Sequence, residues 1–371
     1  MRKKIWLTAV TIFFVAYFFL AARQIPRQMV LVPRWLSSLE SGETVRMDGA
    51  AETGTETEAA RLIPFSLGSR FGFVALDDGR FSINRTAKSS VSLSGKYWTE
   101  YEAEPSRITI YDNTGETYAV IENPRGYPFF LDEGRGQGRI FILGSEQNSI
   151  SEIDASGAVL WAYEFAAQIT CVDAAGGLLL AGALDGSIVI IDSSGRKVFS
   201  FEPGGSRYPV ILGCAISSDG SRLGIISGID NQRFLYLEHF GPSLGDYKVV
   251  YHEFLNDGFR RPVFISFVEN DRWVIFERAG GLGLYEAGSR QAAKVELDGE
   301  VRAIDQSGGQ GLIFAVLSGG GGMKELAGIM LPDRVMVAAP FRSDDVFLGR
   351  SESRLLVGGG RTIISFELEK R

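Results

Sequence analysis

The chain repeats one phrase: an apolar strand, a turn of the form Asp-x-Ser/Thr-Gly, and a second apolar strand. The turns are Asp112 to Gly115, Asp154 to Gly157 and Asp192 to Gly195, and the aspartates lie 42 and 38 residues apart. Asp accepts hydrogen bonds from the backbone two residues on, and Gly three positions later takes the positive φ of a short hairpin. Asp112, Gly115, Asp154, Gly157, Asp192 and Gly195 therefore read as structural turn residues. A single hairpin of this kind cannot bury both its faces. A period near 40 residues, with almost no helical pattern after the first residues, calls for radial stacking of such units, the architecture of a β-propeller.

Size permits that architecture. The 371 residues include 45 Gly and 25 Phe and are 45% hydrophobic, enough for a large core. With 38 basic against 45 acidic residues the net charge is −7, and no basic block offers a sequence-independent hold on nucleic acid. Cys171 and Cys214, the two cysteines, exclude a disulfide framework.

The N-terminus carries a second signal. Met1-Arg-Lys-Lys4 precedes an uncharged run from Ile5 to Ala22 containing Ile5, Trp6, Phe13, Phe14, Phe18 and Phe19, close to the length that crosses a bilayer as a helix. Residues 1–24 are expected to be one transmembrane anchor, since a signal peptidase would meet Leu20 where it needs a small residue. A tight basic cluster before the run and a large globular part after it favour the cytoplasmic (inner) membrane, crossed once, with the domain facing the periplasm or exterior. Residues 25–60 read as a membrane-proximal segment and an acidic tether. Within them, Met29 to Leu36 is too apolar for a free linker and either lies at the membrane interface, with Trp35 at headgroup depth, or packs on the domain.

Residues 61–371 read as strands. A second class of hairpin tip falls near Ser94, Asp132, Asp173, Ser218, Glu269, Asp305 and Ser351. Those tips predict an all-β, seven-bladed propeller of four-stranded antiparallel blades, with eight blades the alternative if Phe71 to Arg85 forms most of a blade. The C-terminal blade is one strand short and the N-terminal strands have no blade, so the ring is expected to close by strand exchange between the ends.

The repeats resemble the superfamily of PQQ-like and WD-repeat-like propellers. The likeness is strongest at Ile153-Asp-Ala-Ser-Gly-Ala-Val-Leu-Trp161, since quinoprotein propellers and the propeller lipoprotein of the outer-membrane β-barrel assembly machinery carry similar Asp-x-x-Gly-x-x-x-Trp stretches. The Trp position holds Ala119 and Phe199 in the other copies, and Leu284-Tyr-Glu286-Ala-Gly288 is a degenerate fourth. The resemblance implies a fold. A quinoprotein activity would add a cofactor over the central channel, a calcium site and often adjacent cysteines, which this sequence lacks.

Other chemistry is sparse. His239 and His252 sit in an approximate mirror sequence about Leu244-Gly245, so a hairpin centred there would oppose them as weak metal candidates, two ligands of the usual four. Cys171 and Cys214 read as inert buried thiols. Ser318 to Met323 and Val357 to Arg361 are glycine-rich but open no helix, so they read as strand-joining loops. Tyr97, Trp98, Tyr101, Tyr127, Phe129 and Phe130 are candidate interaction aromatics. The expectation is a non-catalytic scaffold without metal or cofactor, whose partners are envelope or membrane proteins and, through its helix, the lipid bilayer. The alternative is a propeller enzyme or small-ligand sensor using the central channel, such as a lactonase, lyase or quinoprotein relative.

Overall fold

A computed structural model of the chain describes residues 29–47, 61–133, 137–305 and 307–370. The expected anchor at residues 1–24 lies outside them, as does the tether beyond Met47. No helix among the described residues is long and apolar enough to cross a membrane. The described strands form eight antiparallel sheets. Six are four-stranded blades in chain order, blades 2 to 7, spanning residues 90–122, 126–164, 169–201, 211–254, 265–296 and 300–342. Their first strands meet one another: Thr170 Oγ1 donates to Ile211 O across 2.5 Å, and Asp173 Oδ2 accepts from Ile216 N at 2.9 Å. First strands therefore form the inner ring.

Both ends of the described chain build blade 8. Val346–Ser351, Arg354–Gly359 and Thr362–Lys370 are continued outward by β1 (Met29–Ser38) and β2 (Thr44–Arg46). β1 runs along the C-terminal strand from Met29 opposite Lys370 to Ser38 opposite Thr362. Ring closure by strand exchange is thus present, but the exchanged strand is Met29–Ser38. Trp35 is 1% exposed and donates its indole N–H to Leu76 O at 3.1 Å, so of the two readings of this segment it packs on the domain, and the propeller starts at Met29 and not at Arg61. Gly79 shows how tight this joint is: its φ is +71°, and a Cβ there would stand 2.6 Å from the Trp35 ring.

The remaining three strands, β3 (Leu62–Leu67), β4 (Arg70–Ala75) and β5 (Phe81–Thr86), form a three-stranded blade 1. The count is therefore eight and not the leading seven: Phe71 to Arg85 supplies most of a blade, as the alternative had it. Blade 1 also runs upside down. Arg61 pairs with Glu352 across 3.3 Å, and a Cβ on Gly68 would touch the Asp345 carboxylate, so β3 is antiparallel to the inner strand Val346–Ser351. Elsewhere inner strands are parallel, as in the Thr170/Ile211 and Asp173/Ile216 contacts. Parity explains the reversal: a blade of three strands leaves at the end opposite to the one it enters, and it must leave where blade 2 begins.

One apolar cluster fills each of the eight seams between neighbouring blades, which is what closes the ring. Second strands such as Leu178–Ala183 and Leu312–Ser318 have almost every residue buried, as their unbroken apolar runs require when both faces are covered. Fourth strands such as Gln291–Glu296 are largely exposed and polar.

Candidate functional site

Antiparallel order places two kinds of turn at opposite ends of blades 2 to 8. Turns joining strands one to two and three to four share one end of the disc, and all the Asp-x-Ser/Thr-Gly turns lie there. Asp154 Oδ1 accepts from Ser156 N at 2.8 Å, Ser156 Oγ at 2.6 Å and Ala158 N at 2.9 Å; Asp112 and Asp192 repeat the set. The Ser156 hydroxyl, followed by the Ala158 N–H, holds the Asp154 carboxyl below its usual range. Their oxygens are committed to the turn.

A repeat not evident in the primary pattern lies between strands two and three. Arg139 pairs with Glu152 at 2.7 Å, Arg272 Nε with Glu286 at 2.7 Å and Arg354 Nε with Glu367 at 3.0 Å. Arg222 stands directly opposite Glu238, as Arg354 does opposite Glu367. Three of these arginines also strap the next blade: Arg139 to Leu178 O, Arg222 to Asp271 O and Arg354 to Leu76 O, at 3.4, 2.9 and 3.0 Å. Spacings of 13, 16, 14 and 13 residues, set by unequal hairpins, hide this repeat in the primary pattern. Between blades 7 and 8, Arg350 and Asp305 form a wholly buried pair at 2.9 Å.

The histidines do not meet. Register pairs His239 with Tyr247 and His252 with Leu235, because a bulge between Tyr236 and Leu237 and an earlier turn shift the hairpin. His239 Nε2 instead lies 2.6 Å from Ser243 O. No group of three or more His, Cys, Asp or Glu side chains positioned to hold a metal occurs among the described residues. Cys171 and Cys214 are free thiols in one cluster across the blade 4 and blade 5 seam. The Cys171 thiol hydrogen-bonded beside it, together with burial, pushes the Cys214 thiol well up. The glycine-rich stretches join strands, as expected. A cavity of about 400 Å³ lies between blades 6 and 7, lined by Trp273, Leu331, Pro332 and the Arg272–Glu286 pair.

The aromatic candidates are all at least partly buried. Tyr97 and Trp98 are buried, while Tyr101, Tyr127, Phe129 and Phe130 are half-buried. They pack in the seams: Tyr97 on Phe130, Tyr101 on Tyr127, Phe129 on Phe141 and Trp98 on Phe71, with ring centroids 5.9, 6.3, 5.2 and 5.4 Å apart. Alternating apolar positions in a propeller point into a seam, so aromatic content there builds core.

Exposed aromatics occur at both ends of the disc: Tyr118 and Phe240 at the Asp-turn end, Tyr208 and Phe254 at the end where each blade connects to the next. Five of the connections between blades have three or four residues. Those flanking blade 5, residues 202–210 and 255–264, have nine and ten. Both are stapled to the turn between that blade's second and third strands. Asn231 Nδ2 donates to Gly205 O at 3.1 Å, Ile229 N to Tyr208 O at 3.1 Å, and Arg207 Nε to Asp230 Oδ2 at 3.2 Å. On the other side Gln232 Nε2 donates to Phe259 O at 3.3 Å, Arg278 holds Asp257 at 2.7 Å and Arg261 holds Glu277 at 2.6 Å. The Ser206 hydroxyl, ahead of the Arg207 contacts, holds the Asp230 carboxyl far below its usual range.

What these rigid loops present is a small apolar and cationic surface. Tyr208 and Phe254 are each 58% exposed. Arg233 lies 5.6 Å over the Phe254 ring and against Gly205, and no carboxylate among the described residues pairs with it. Its Nε is buried without a hydrogen-bond partner. Fixed aromatics around an unpaired guanidinium suit a ligand that brings a carboxylate and an apolar group together.

Known proteins agree on the fold. A 27%-identical protein of Treponema pallidum (strain Nichols), described as uncharacterized, matches 303 residues, 81% of this chain and 77% of its own length. Among solved structures, BamB from Moraxella catarrhalis covers 91% of this chain and all of its own, with 12% identity and a TM-score of 0.55. The computationally designed Ika8 protein covers 84% and 95% at 12% identity and a TM-score of 0.61. A chain of the mitotic checkpoint complex covers 87% and 97% at 12% identity and 0.55. Identities this low speak for the fold alone. A family model described as beta-propeller protein matches residues 1–370, and the chain belongs to that family.

Proposed function

We propose that this propeller is a non-catalytic docking platform, anchored in the cytoplasmic membrane by residues 1–24 and facing the periplasm or exterior, where it assembles with envelope proteins. The observation that carries the docking role is Arg233 over the exposed Phe254 ring at one end of blade 5, with the exposed Tyr208 on a stapled loop at that same end. A loop already ordered loses little entropy when a partner binds, and Tyr and Arg beside an aromatic ring are the residue types that dominate interface energies. The similarity to a chain of the mitotic checkpoint complex, a multiprotein assembly, fits a partner that is protein. The location rests on the apolar run of Ile5 to Ala22 behind its basic cluster.

Site-specific photo-crosslinking from position 208 in intact cells tests the docking role. The expected result is one discrete adduct, lost in the Arg233→Ala, Phe254→Ala double variant and retained in Asp154→Ala at the opposite end of the disc. A smear of adducts unaffected by the double variant overturns it. A compartment reporter fused after Arg371 tests the location, with activity expected outside the cytoplasm only.

A further inference from the structure

Blade 1 ends early. Every other blade covers its third strand with a fourth, whereas β5 is the third and last strand of its sheet. Ala87 N donates to Ser69 O, so the residues turned toward β4 are Ala87, Arg85 and Ile83. Alternation then turns the N–H and C=O groups of Asn84 and Thr86 outward, and none of them has a hydrogen-bond partner. The position beside them is bounded by two neighbours. On the blade 8 side, Asn84 Nδ2 donates to Leu39 O at 2.8 Å and Thr44 Oγ1 to Gly79 O at 3.1 Å; on the blade 2 side, Ser82 Oγ donates to Asn113 O at 3.1 Å.

Cations without ion-pair partners collect at this edge, beside two carboxylates already engaged: Glu100 accepts from Lys88 N and Ser89 N, and Asp78 pairs with Arg80. Arg85 and Lys88 are exposed at the end of β5, and Arg46, opposite Trp35 in the hairpin of β1 and β2, lies on the face turned to blade 1. None of the three has an ion-pair partner among the described residues, although the whole chain carries a net charge of −7. Arg85 is held 5.1 Å over the Trp98 ring. A second copy pairing edge to edge would set these cations against their own kind, so the geometry does not favour self-association.

We infer that the open edge of β5 receives an extended acidic segment of a partner protein, which completes blade 1 by strand addition. Main-chain hydrogen bonds to Asn84 and Thr86 supply the register, and carboxylates meeting Arg46, Arg85 and Lys88 supply the selectivity. The site is separate from the Tyr208 surface, so either can fail without the other.

The test uses the full chain and two synthetic peptides long enough to span β5, one alternating Glu with Thr and one alternating Lys with Thr. Fluorescence anisotropy measures binding, and amide exchange reads Asn84 and Thr86. The acidic peptide is expected to bind and to slow exchange at those two amides, while the basic one does not bind. Asn84→Pro removes one outward N–H and should abolish that binding. Arg85→Glu with Lys88→Glu leaves the backbone donors in place and should weaken the acidic peptide at least about tenfold while admitting the basic one. Unchanged binding in the charge-reversed chain overturns the inference. So does exchange at Asn84 and Thr86 that is as slow in the free chain as in buried strands.

Discussion

Arg350 and Asp305 meet in the protein interior, with side chains 0% and 1% exposed. Arg350 also donates to Gly309 O at 2.7 Å and lies 5.6 Å over Phe314. Truncating one member of such a pair leaves a buried charge uncompensated. Arg350→Ala should therefore cost about 3–5 kcal/mol in urea unfolding, and Asp305→Asn with Arg350→Met should recover much of that loss. The turn aspartates make a different prediction, because they titrate. Burial raises the Asp219 carboxyl, but bonds from the Ser217 hydroxyl and from Ser221, with Arg222 nearby, bring it down to about 2. Its folded pKa lies below the unfolded value, so its contribution is complete above about pH 4 and disappears as the pH falls through about 2. The unfolding midpoint of the native chain should drop across that window more steeply than that of Asp219→Asn. Equal slopes would mean that the carboxylate contributes nothing.

Strand β1 is the element that makes eight sheets a ring. Without it Thr362–Lys370 would be an open edge and the Trp35 pocket an exposed apolar patch. Trp35→Ala should cost about 3–5 kcal/mol, measured by denaturant unfolding. A chain beginning at Met29 should unfold at nearly the same midpoint as the whole chain, whereas one beginning after Met47 should lose the cooperative transition and become protease-sensitive in blade 8. Preserved stability in the shorter chain would show that the closing strand is dispensable. The seven hairpin tips left blade 1 as an alternative only, for a reason specific to this element. Its first turn, Leu67-Gly68-Ser69, carries the usual glycine with a φ of +60°, but the blade is inverted and three-stranded, so that turn falls out of phase with the seven tips that keep the rhythm.

At the scale of the molecule, seams decide where chemistry is available. The clusters on both sides of every blade leave second strands little access to solvent, while inner strands such as Ile169–Ala175 are largely half-buried; of the two thiols, Cys171 is half-buried and Cys214 buried. Cys214 is buried with its thiol pushed up by Cys171 and by burial, so an aromatic disulfide reagent should label it only as the protein unfolds. Prompt labelling of Cys214 in the native chain would refute that packing. Exposure is concentrated where connections lengthen, and the two long connections around blade 5 were already visible as spacing. The exposed surface at that end of blade 5 was not, since Tyr208, Arg233 and Phe254 belong to a connection, a third strand and a fourth strand of the folded blade.

The sequence by itself determined the fold class. Turn chemistry is local, so Asp154 and Gly157 announce a hairpin wherever they stand, and a repeated hairpin with two apolar faces has to stack. Seven of the eight blades and the need for closure followed from that periodicity. Tertiary structure alone decided the closing strand, the inversion of blade 1, the register that separates His239 from His252 and the Arg–Glu pairs across strands two and three. Each depends on which distant segments meet, and contact between residues 35 and 365, or 61 and 352, leaves no periodic trace in a single chain.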